Sequence, residues 1–298
     1  MIPVYNNAPS LPEVVEQLKT HLPQGYEHEI VFVNDGSVDD SLDVLMKLKE
    51  ENKDLITIVD FLRNFGQLSA ILAGLRYSTG DLTVVMSADL QDPFDIIPQM
   101  VEEWTQGNHI VAAYRKKRKD SLRARMTSRI AYNLIRFNVP DIPVEGFDFM
   151  ALDRAVLEEF NKSDTRNRFL QGDLLWFGFN VKYIPYTRLK RKHGKSQYSF
   201  FKRLKNFLDA YLDSGYSSIR FMSLTGLLVF VFSILYTLTI FYGKMTGTLP
   251  YPGWAPIMIL LCFFSGLIMM MLGIIGEYVW RIYDELRGKP NYIVRKVL

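Results

Sequence analysis

The chain has 298 residues, a net charge of +3 and 48% hydrophobic residues, length enough for one large domain or two smaller ones. Its single cysteine, Cys262, lies in an apolar run, which excludes an intramolecular disulfide framework and a cysteine metal cluster. Nine Lys or Arg stand against one acid between Arg115 and Arg136, and nine against none between Lys182 and Lys205, so an anionic partner is expected: phosphate, lipid headgroup or nucleic acid.

Ile2-Pro3-Val4-Tyr5 reads as the tail of a first strand, short at its start as though residues were missing upstream, with no cleavable signal peptide before it. The turn Asn6-Asn7-Ala8-Pro9 follows. Ser10 and Glu13 have capping-box spacing, ahead of a helix with Leu11, Val14, Val15 and Leu18 on its apolar side. Glu29 to Val33 is a second strand, ending in Asn34-Asp35-Gly36-Ser37 and leading to a helix from Asp39 or Asp40 through Leu48. A third strand covers Ile56 to Val59, a third helix Gln67 to Tyr77, and a fourth strand Leu82 to Met86. After Pro93 come another helix, a strand at Ile110 to Ala113, and further strands at Val144 to Leu152 and Val181 to Ile184. Strands alternating with helices predict an α/β domain on a mostly parallel sheet. Ligands bind such sheets beyond the carboxyl ends of the strands, where Tyr5, Asp35, Arg63, Asn64 and Asp89 all fall.

The stretch Val84-Val85-Met86-Ser87-Ala88-Asp89-Leu90-Gln91-Asp92-Pro93 is the centre of this reading. Alternation along an extended strand end would send Ser87, Asp89 and Gln91 to one side. A carboxylate and an amide oxygen facing one way suit a hard divalent cation that holds nucleotide phosphates. An ordinary strand-to-loop turn with solvated acids is the alternative for this window.

No charged residue occurs from Phe221 to Gly243 or from Met245 to Gly276, and each run exceeds the roughly 20 residues that span hydrocarbon as a helix. Lys244, Gly247, Pro250, Pro252 and Gly253 mark the turn between them. Basic residues crowd both flanks, Lys202, Arg203, Lys205 and Arg220 before and Arg281, Arg287, Lys289, Arg295 and Lys296 after. The positive-inside rule therefore places both flanks in the cytoplasm. Aromatic and basic residues mix between Tyr198 and Ile219, which suits an amphipathic helix in the membrane interface or a core helix of the soluble domain. The expected organisation is a catalytic domain over residues 1–197, an interfacial helix over 198–220, a two-helix transmembrane hairpin over 221–280 and a cytoplasmic tail over 281–298.

The ordered blocks Ile2-Pro3-Val4-Tyr5-Asn6, Val33-Asn34-Asp35-Gly36-Ser37-x-Asp39, Arg63-Asn64-Phe65-Gly66, Ala88-Asp89-Leu90-Gln91-Asp92-Pro93, Tyr186-x-Arg188-x-x-Arg191-x-x-Gly194-x-Ser196-x-Tyr198 and Gly276-Glu277-Tyr278-x-x-Arg281-Ile282-Tyr283, with two apolar runs, make the chain resemble the family 2 glycosyltransferases that charge a polyprenyl phosphate with a sugar. Bactoprenol glucosyltransferases and dolichyl-phosphate mannose synthases are of this type. The resemblance implies the Rossmann-like, nucleotide-sugar-binding GT-A fold. It also implies inverting transfer from a nucleotide-sugar, with a UDP-hexose expected, to undecaprenyl phosphate at the cytoplasmic face of the cell inner membrane, with Mg2+ or Mn2+. By resemblance Asp35 contacts the base, Asp89 and Gln91 hold the metal, and Asp148 lies near the acceptor. Asp89 and Asp148 are the expected catalytic residues, Asp148 either orienting the sugar or acting as base, with a buried structural role as the alternative. Pro3, Tyr5, Arg63, Asn64 and Ser196 fall in the substrate-binding blocks. Arg115, Arg129, Arg188 and Arg191 suit the lipid phosphate, because guanidinium pairs bidentately with phosphate oxygens. Relatives usually carry Asp-x-Asp at the end of strand four, and here Ser87 replaces the first aspartate, so no metal role passes to Ser87.

Two other readings stay open at this level. A processive polysaccharide synthase would carry a Gln-x-x-Arg-Trp block, whereas Gln171 is followed by Gly-Asp-Leu-Leu-Trp. A non-catalytic protein that binds nucleotide-sugar or lipid would account for Ser87. Nucleic acid is not expected as a partner, since the basic blocks lie beside the membrane segments. A homo-oligomer is compatible with all of this.

Overall fold

The computed structural model describes residues 1–115, 133–136, 138–143, 146–162, 165, 168–189, 211, 217–246 and 253–298. The chain divides into two compact units, Met1–Asp213 with Pro290–Leu298, and Ser214–Lys289.

In the first unit the order is β1 (Ile2–Val4), α1 (Leu11–His21), β2 (Ile30–Asn34), α2 (Ser41–Glu51), β3 (Ile56–Phe61), α3 (Gln67–Tyr77), β4 (Leu82–Val85), α4 (Ile96–Thr105), β5 (Ile110–Arg115), β6 (Phe149–Asp153), α5 (Arg154–Asn161), α6 (Leu170–Trp176), β7 (Val181–Tyr186) and, at the chain's end, β8 (Val294–Val297). Two four-stranded sheets have the orders β1-β2-β3-β8 and β4-β6-β5-β7. Met1 joins them: its N donates to Val84 O at 2.7 Å and its carbonyl accepts from Met86 N at 3.3 Å. These two bonds set β4 parallel to β1, so β1 and β4 form the point where the strand order reverses.

The sheet is mixed where the sequence predicts a mostly parallel one. β1, β2 and β3 run parallel, as do β5 and β7. β6 lies antiparallel between β4 and β5, and β8 lies antiparallel to β3. Apolar runs carry no sign of strand direction, and an antiparallel partner needs no helical crossover of fixed length, so pattern alone misses the reversal. Each central strand buries both faces. Phe32 and Ile58 pack with Leu11 and Val14 of α1, Leu45 of α2 and Met100 of α4. Val31, Val33, Val59 and Phe61 pack with Ala73 and Leu75 of α3 and Phe160 of α5. Burial on both sides fits the near-continuous apolar runs of these strands.

The last residues were expected as a tail, yet they close the sheet's edge. Leu298 N donates to Ile58 O at 2.8 Å, Ile58 N donates to Leu298 O at 2.9 Å, and Tyr292 stacks on Phe61 at 5.0 Å. A four-residue strand bearing Arg295 and Lys296 looks solvated in sequence, and only the unpaired edge of β3 gives it a place.

The second unit holds α7 (Ser217–Met245) and α8 (Trp254–Leu286). The segments Leu224–Gly243 and Phe263–Leu286 are long and apolar enough to cross a membrane, and most of their described side chains are exposed. The predicted interfacial helix lies almost wholly outside the described residues. Only its last positions, 217–220, open α7.

Candidate active site

The site is built at one edge of the sheet. β1, β2, β3, β4, β5 and β7 all deliver their carboxyl ends there. β6 runs the other way and so brings its amino end, with Asp148 just before it, to the same edge. A small cavity of about 40 Å³ opens at the β1–β4 reversal, lined among others by Pro3, Ser87, Asp92, Arg115, Asp148 and Arg188.

The loop after β4 is not an extended run. Leu90 has φ +58° and buries its side chain, a left-handed turn that is costly for a branched residue and recurs at functional loops. Ser87 and Asp89 do meet, with Ser87 Oγ 2.8 Å from Asp89 Oδ1. Gln91 is diverted: its N donates to Asp89 Oδ1 at 3.3 Å, but its Nε2 donates to Leu189 O at 3.1 Å while Leu189 N donates to Gln91 O at 2.9 Å. The expected common side for Ser87, Asp89 and Gln91 therefore holds for the first two. The third straps the segment after β7 onto the loop.

Asp92 is a site residue that its sequence pattern does not single out from a solvated acid. It is 5% exposed and accepts from Ser87 N at 2.9 Å and from Tyr186 OH at 3.3 Å, with Ser87 Oγ at 2.5 Å. Burial raises its pKa, against the Ser87 hydrogen bonds and the charge of Arg188. Arg188 Nη2 lies 3.7 Å from Asp89 Oδ2. Its Nε is buried with no hydrogen-bond partner among the described residues.

Across the cavity, Arg115 Nη2 donates to Asp148 Oδ2 at 3.4 Å and its Nε donates to Tyr186 OH at 3.4 Å. Burial works against the arginine's charge, but Asp148, Tyr186 and Asp92 outweigh it and raise its pKa. Asp148 is solvent-facing, its side chain 71% exposed. Gln171 Nε2 reaches it at 3.3 Å while donating to Phe147 O at 2.7 Å.

Asp35 is 2% exposed, and its two oxygens accept from Phe65 N at 2.6 Å and Gly66 N at 3.0 Å. It latches the 63–66 loop onto the end of β2. Gly36, at φ +58°, makes the latch fit: a Cβ there would lie 2.3 Å from the carbonyl carbon of Arg63. Arg63 and Asn64 stay exposed on that loop. Tyr5 is half-buried and its N donates to Asn7 Oδ1 at 3.2 Å. Ser10 does not close the predicted capping box. Its hydroxyl donates instead to Ala88 O at 2.7 Å, with Asn7 O at 2.9 Å, and so ties the start of α1 to the acidic loop. Arg129, Arg191 and Ser196 lie outside the described residues.

No group of three His, Cys, Asp or Glu forms a metal cluster among the described residues. A cation here would take few protein ligands. The Asp89 carboxylate is a hard donor of the kind that magnesium combines with substrate phosphates, and it fits a site completed by a nucleotide; the expected second donor, Gln91, is turned to Leu189 instead.

A model of the family described as Glycosyl transferase family 2 matches residues 1–160. The glycosyltransferase YkcC of Bacillus subtilis (strain 168) is 36% identical over 99% of this chain and 92% of its own length. The bactoprenol glucosyl transferase of Shigella phage SfII is 31% identical over 99% of this chain and 96% of its own. Among solved structures, the mannosyltransferase PcManGT from Pyrobaculum calidifontis, in complex with GDP-Man and Mn2+, aligns with TM-score 0.51 at 18% identity. That alignment covers 74% of this chain but 63% of the mannosyltransferase, and it supports the fold alone.

Proposed function

The chain belongs to glycosyl transferase family 2 and is a glycosyltransferase, and from that premise we propose that it moves a hexose from a UDP-sugar to undecaprenyl phosphate at the cytoplasmic face of a membrane, with inversion. One observation carries the reading. A cavity at the strand-order reversal is lined by Ser87 and Asp92 of the acidic loop together with Arg115, Asp148 and Arg188, and Asp89 of the same loop lies 3.7 Å from Arg188. The acidic loop suits a diphosphate held through a cation, and the two guanidiniums suit a second, phosphate-bearing substrate. The bactoprenol glucosyl transferase relative and the two apolar helices favour a lipid for that second substrate.

In this mechanism an oxygen of the acceptor phosphate attacks the anomeric carbon from the face opposite the UDP. The new C–O bond forms as the old one breaks, and the electron pair leaves on the diphosphate. The acceptor is already ionised near neutral pH, so alignment matters more than proton abstraction. Arg115 and Arg188 bind the acceptor phosphate, and Asp148 orients the sugar and Arg115. Asp35 holds the 63–66 loop where a uracil would lie. Asp89 would hold a magnesium or manganese ion, which when bound neutralises the leaving diphosphate.

The test is a full-length preparation in detergent, supplied with UDP-glucose and undecaprenyl phosphate. UDP release that needs the lipid and a divalent cation, with one sugar per lipid by mass spectrometry and loss of turnover in Asp89→Asn, is the expected result. A polymeric product would favour a processive synthase, and binding of UDP-glucose without transfer across a donor panel would favour a non-catalytic binder.

A further inference from the structure

Side-chain contacts run without a gap from Asp89 to Asp148 through residues of which Ser87, Asp92, Arg115 and Asp148 line the cavity. Asp89 Oδ1 lies 2.8 Å from Ser87 Oγ, which lies 2.5 Å from Asp92 Oδ2. Asp92 Oδ1 accepts from Tyr186 OH at 3.3 Å, that oxygen accepts from Arg115 Nε at 3.4 Å, and Arg115 Nη2 reaches Asp148 at 3.4 Å. Tyr186 is the link, touching both Asp92 of the acidic loop and Arg115. It ends β7 opposite Arg115 in the parallel register. Its ring is 4% exposed and packs edge-on against Phe149 at 5.8 Å.

We propose that Tyr186 is a positioning residue for the transfer, its hydroxyl setting the Arg115 guanidinium at a fixed place relative to the acidic loop so that the acceptor phosphate meets the sugar in line. The proposal rests on the reading of the cavity as a two-substrate glycosyltransfer site. A phenol has one proton and accepts through its oxygen, so Tyr186 satisfies Asp92 and Arg115 at once. A phenylalanine would keep the packing and satisfy neither. Burial, helped by Asp92, lifts the Tyr186 pKa to about 12, so the hydroxyl keeps its proton at working pH. Among the described residues the other hydrogen bond of Arg115 is to Asp148, which is solvent-facing and cannot by itself fix the guanidinium plane.

The experiment is steady-state kinetics on the full chain with UDP-glucose and undecaprenyl phosphate each varied in turn, for wild type, Tyr186→Phe, Arg115→Lys and the double variant. Tyr183→Phe is the control. It removes a hydroxyl from the same strand whose bond, to Asp141 O at 2.7 Å, lies outside the cavity. Tyr186→Phe should raise the acceptor KM about tenfold, the usual effect of losing one hydrogen bond to a charged group, with the donor KM and melting temperature close to wild type. Tyr183→Phe should leave both constants unchanged. In the Arg115→Lys background, which lacks the Nε donor, Tyr186→Phe should add little, because the two act through one contact. Equal loss toward donor and acceptor, a fall in melting temperature that tracks the activity, or additive effects in the double variant would reduce Tyr186 to a structural part. An unchanged acceptor KM would overturn the proposal outright. A wild type that transfers nothing to the lipid would overturn the underlying two-substrate reading, and the proposal with it.

Discussion

The Arg295 guanidinium lies 3.6 Å from the carboxylate of Asp60, joining the chain's last strand to a buried acid on β3. Asp60 is 1% exposed; one of its oxygens accepts from Asn34 Nδ2 at 2.8 Å, and Asn34 Oδ1 in turn accepts from Ser37 N at 3.3 Å. The C-terminal strand thus supports the loop that carries Asp35. The other Asp60 oxygen is buried with no hydrogen-bond partner among the described residues, which leaves Arg295 as its compensation. Arg295→Met is expected to cost about 1–3 kcal/mol, the range for a buried polar atom deprived of its partner, measured as a lower melting temperature in detergent. Arg63→Met, at an exposed arginine over the Phe65 ring, should cost less than about 1 kcal/mol. Asp60→Asn combined with Arg295→Met should recover part of the loss, because the uncompensated charge is gone.

Gly36 makes a separate prediction about the same loop. Its φ of +58° and the 2.3 Å approach of Arg63's carbonyl carbon to a built Cβ leave no room for a side chain. Gly36→Ala should lose at least about 1 kcal/mol from the left-handed backbone alone, and the 63–66 loop must shift to relieve the overlap. Because Asp35 holds that loop through Phe65 N and Gly66 N, UDP binding measured by calorimetry should weaken together with the melting temperature. Gly25→Ala is the comparison, since it shares the positive φ, at +88°, but has nothing near a built Cβ.

These two cases show what sequence can and cannot carry. The apolar runs gave the central strands, and α3 begins at Gln67 and ends at Tyr77 as predicted, because local periodicity is enough for elements that bury a whole face. The convergence of Tyr5, Asp35, Arg63 and Asp89 on one edge was legible for the same reason: parallel strands share their carboxyl ends. Asp148 reached that edge by a route that pattern does not encode, at the head of an antiparallel strand. Asp92, Tyr186 and Asp60 were silent because their roles depend on partners 94 and 26 residues away. A buried acid looks like a solvated one until its surroundings are known. The diversion of Gln91 toward Leu189 follows from the left-handed turn at Leu90, a conformation no residue type announces when the residue is leucine.

Ser87 stands where the resemblance leads to the expectation of an aspartate, and its surroundings show what a serine does there. The hydroxyl bridges Asp89 and Asp92, at 2.8 and 2.5 Å, so two neighbouring acids are held by a neutral group. Ser87→Asp would put a third carboxylate between them. Without divalent cation the variant should melt lower than wild type, since like charges at such distances repel. Manganese should then raise its melting temperature more than it raises that of wild type. Equal manganese-induced shifts in the two proteins would mean that position 87 does not face the cation, and Asp89 would lose its place as the ligand nearest to it.

Asp148 distinguishes two chemistries. If it removes a proton from the acceptor, Asp148→Asn should cost turnover on the scale of general-base loss, about 10² to 10⁴-fold. If the acceptor attacks as a preformed anion, the amide can still accept from Arg115 and Gln171, whose present distances to the carboxylate are 3.4 and 3.3 Å, and the loss should stay near tenfold, the effect of a weakened charged hydrogen bond. The carboxylate is solvent-facing, 71% exposed, and is held as a hydrogen-bond acceptor by Arg115 and Gln171, which favours the second outcome. Turnover of Asp148→Asn followed from pH 6 to 9 separates the two. A mechanism without a base predicts a profile parallel to wild type and about tenfold lower throughout. A loss of about 10²-fold or more would instead move Asp148 from orienting group to general base.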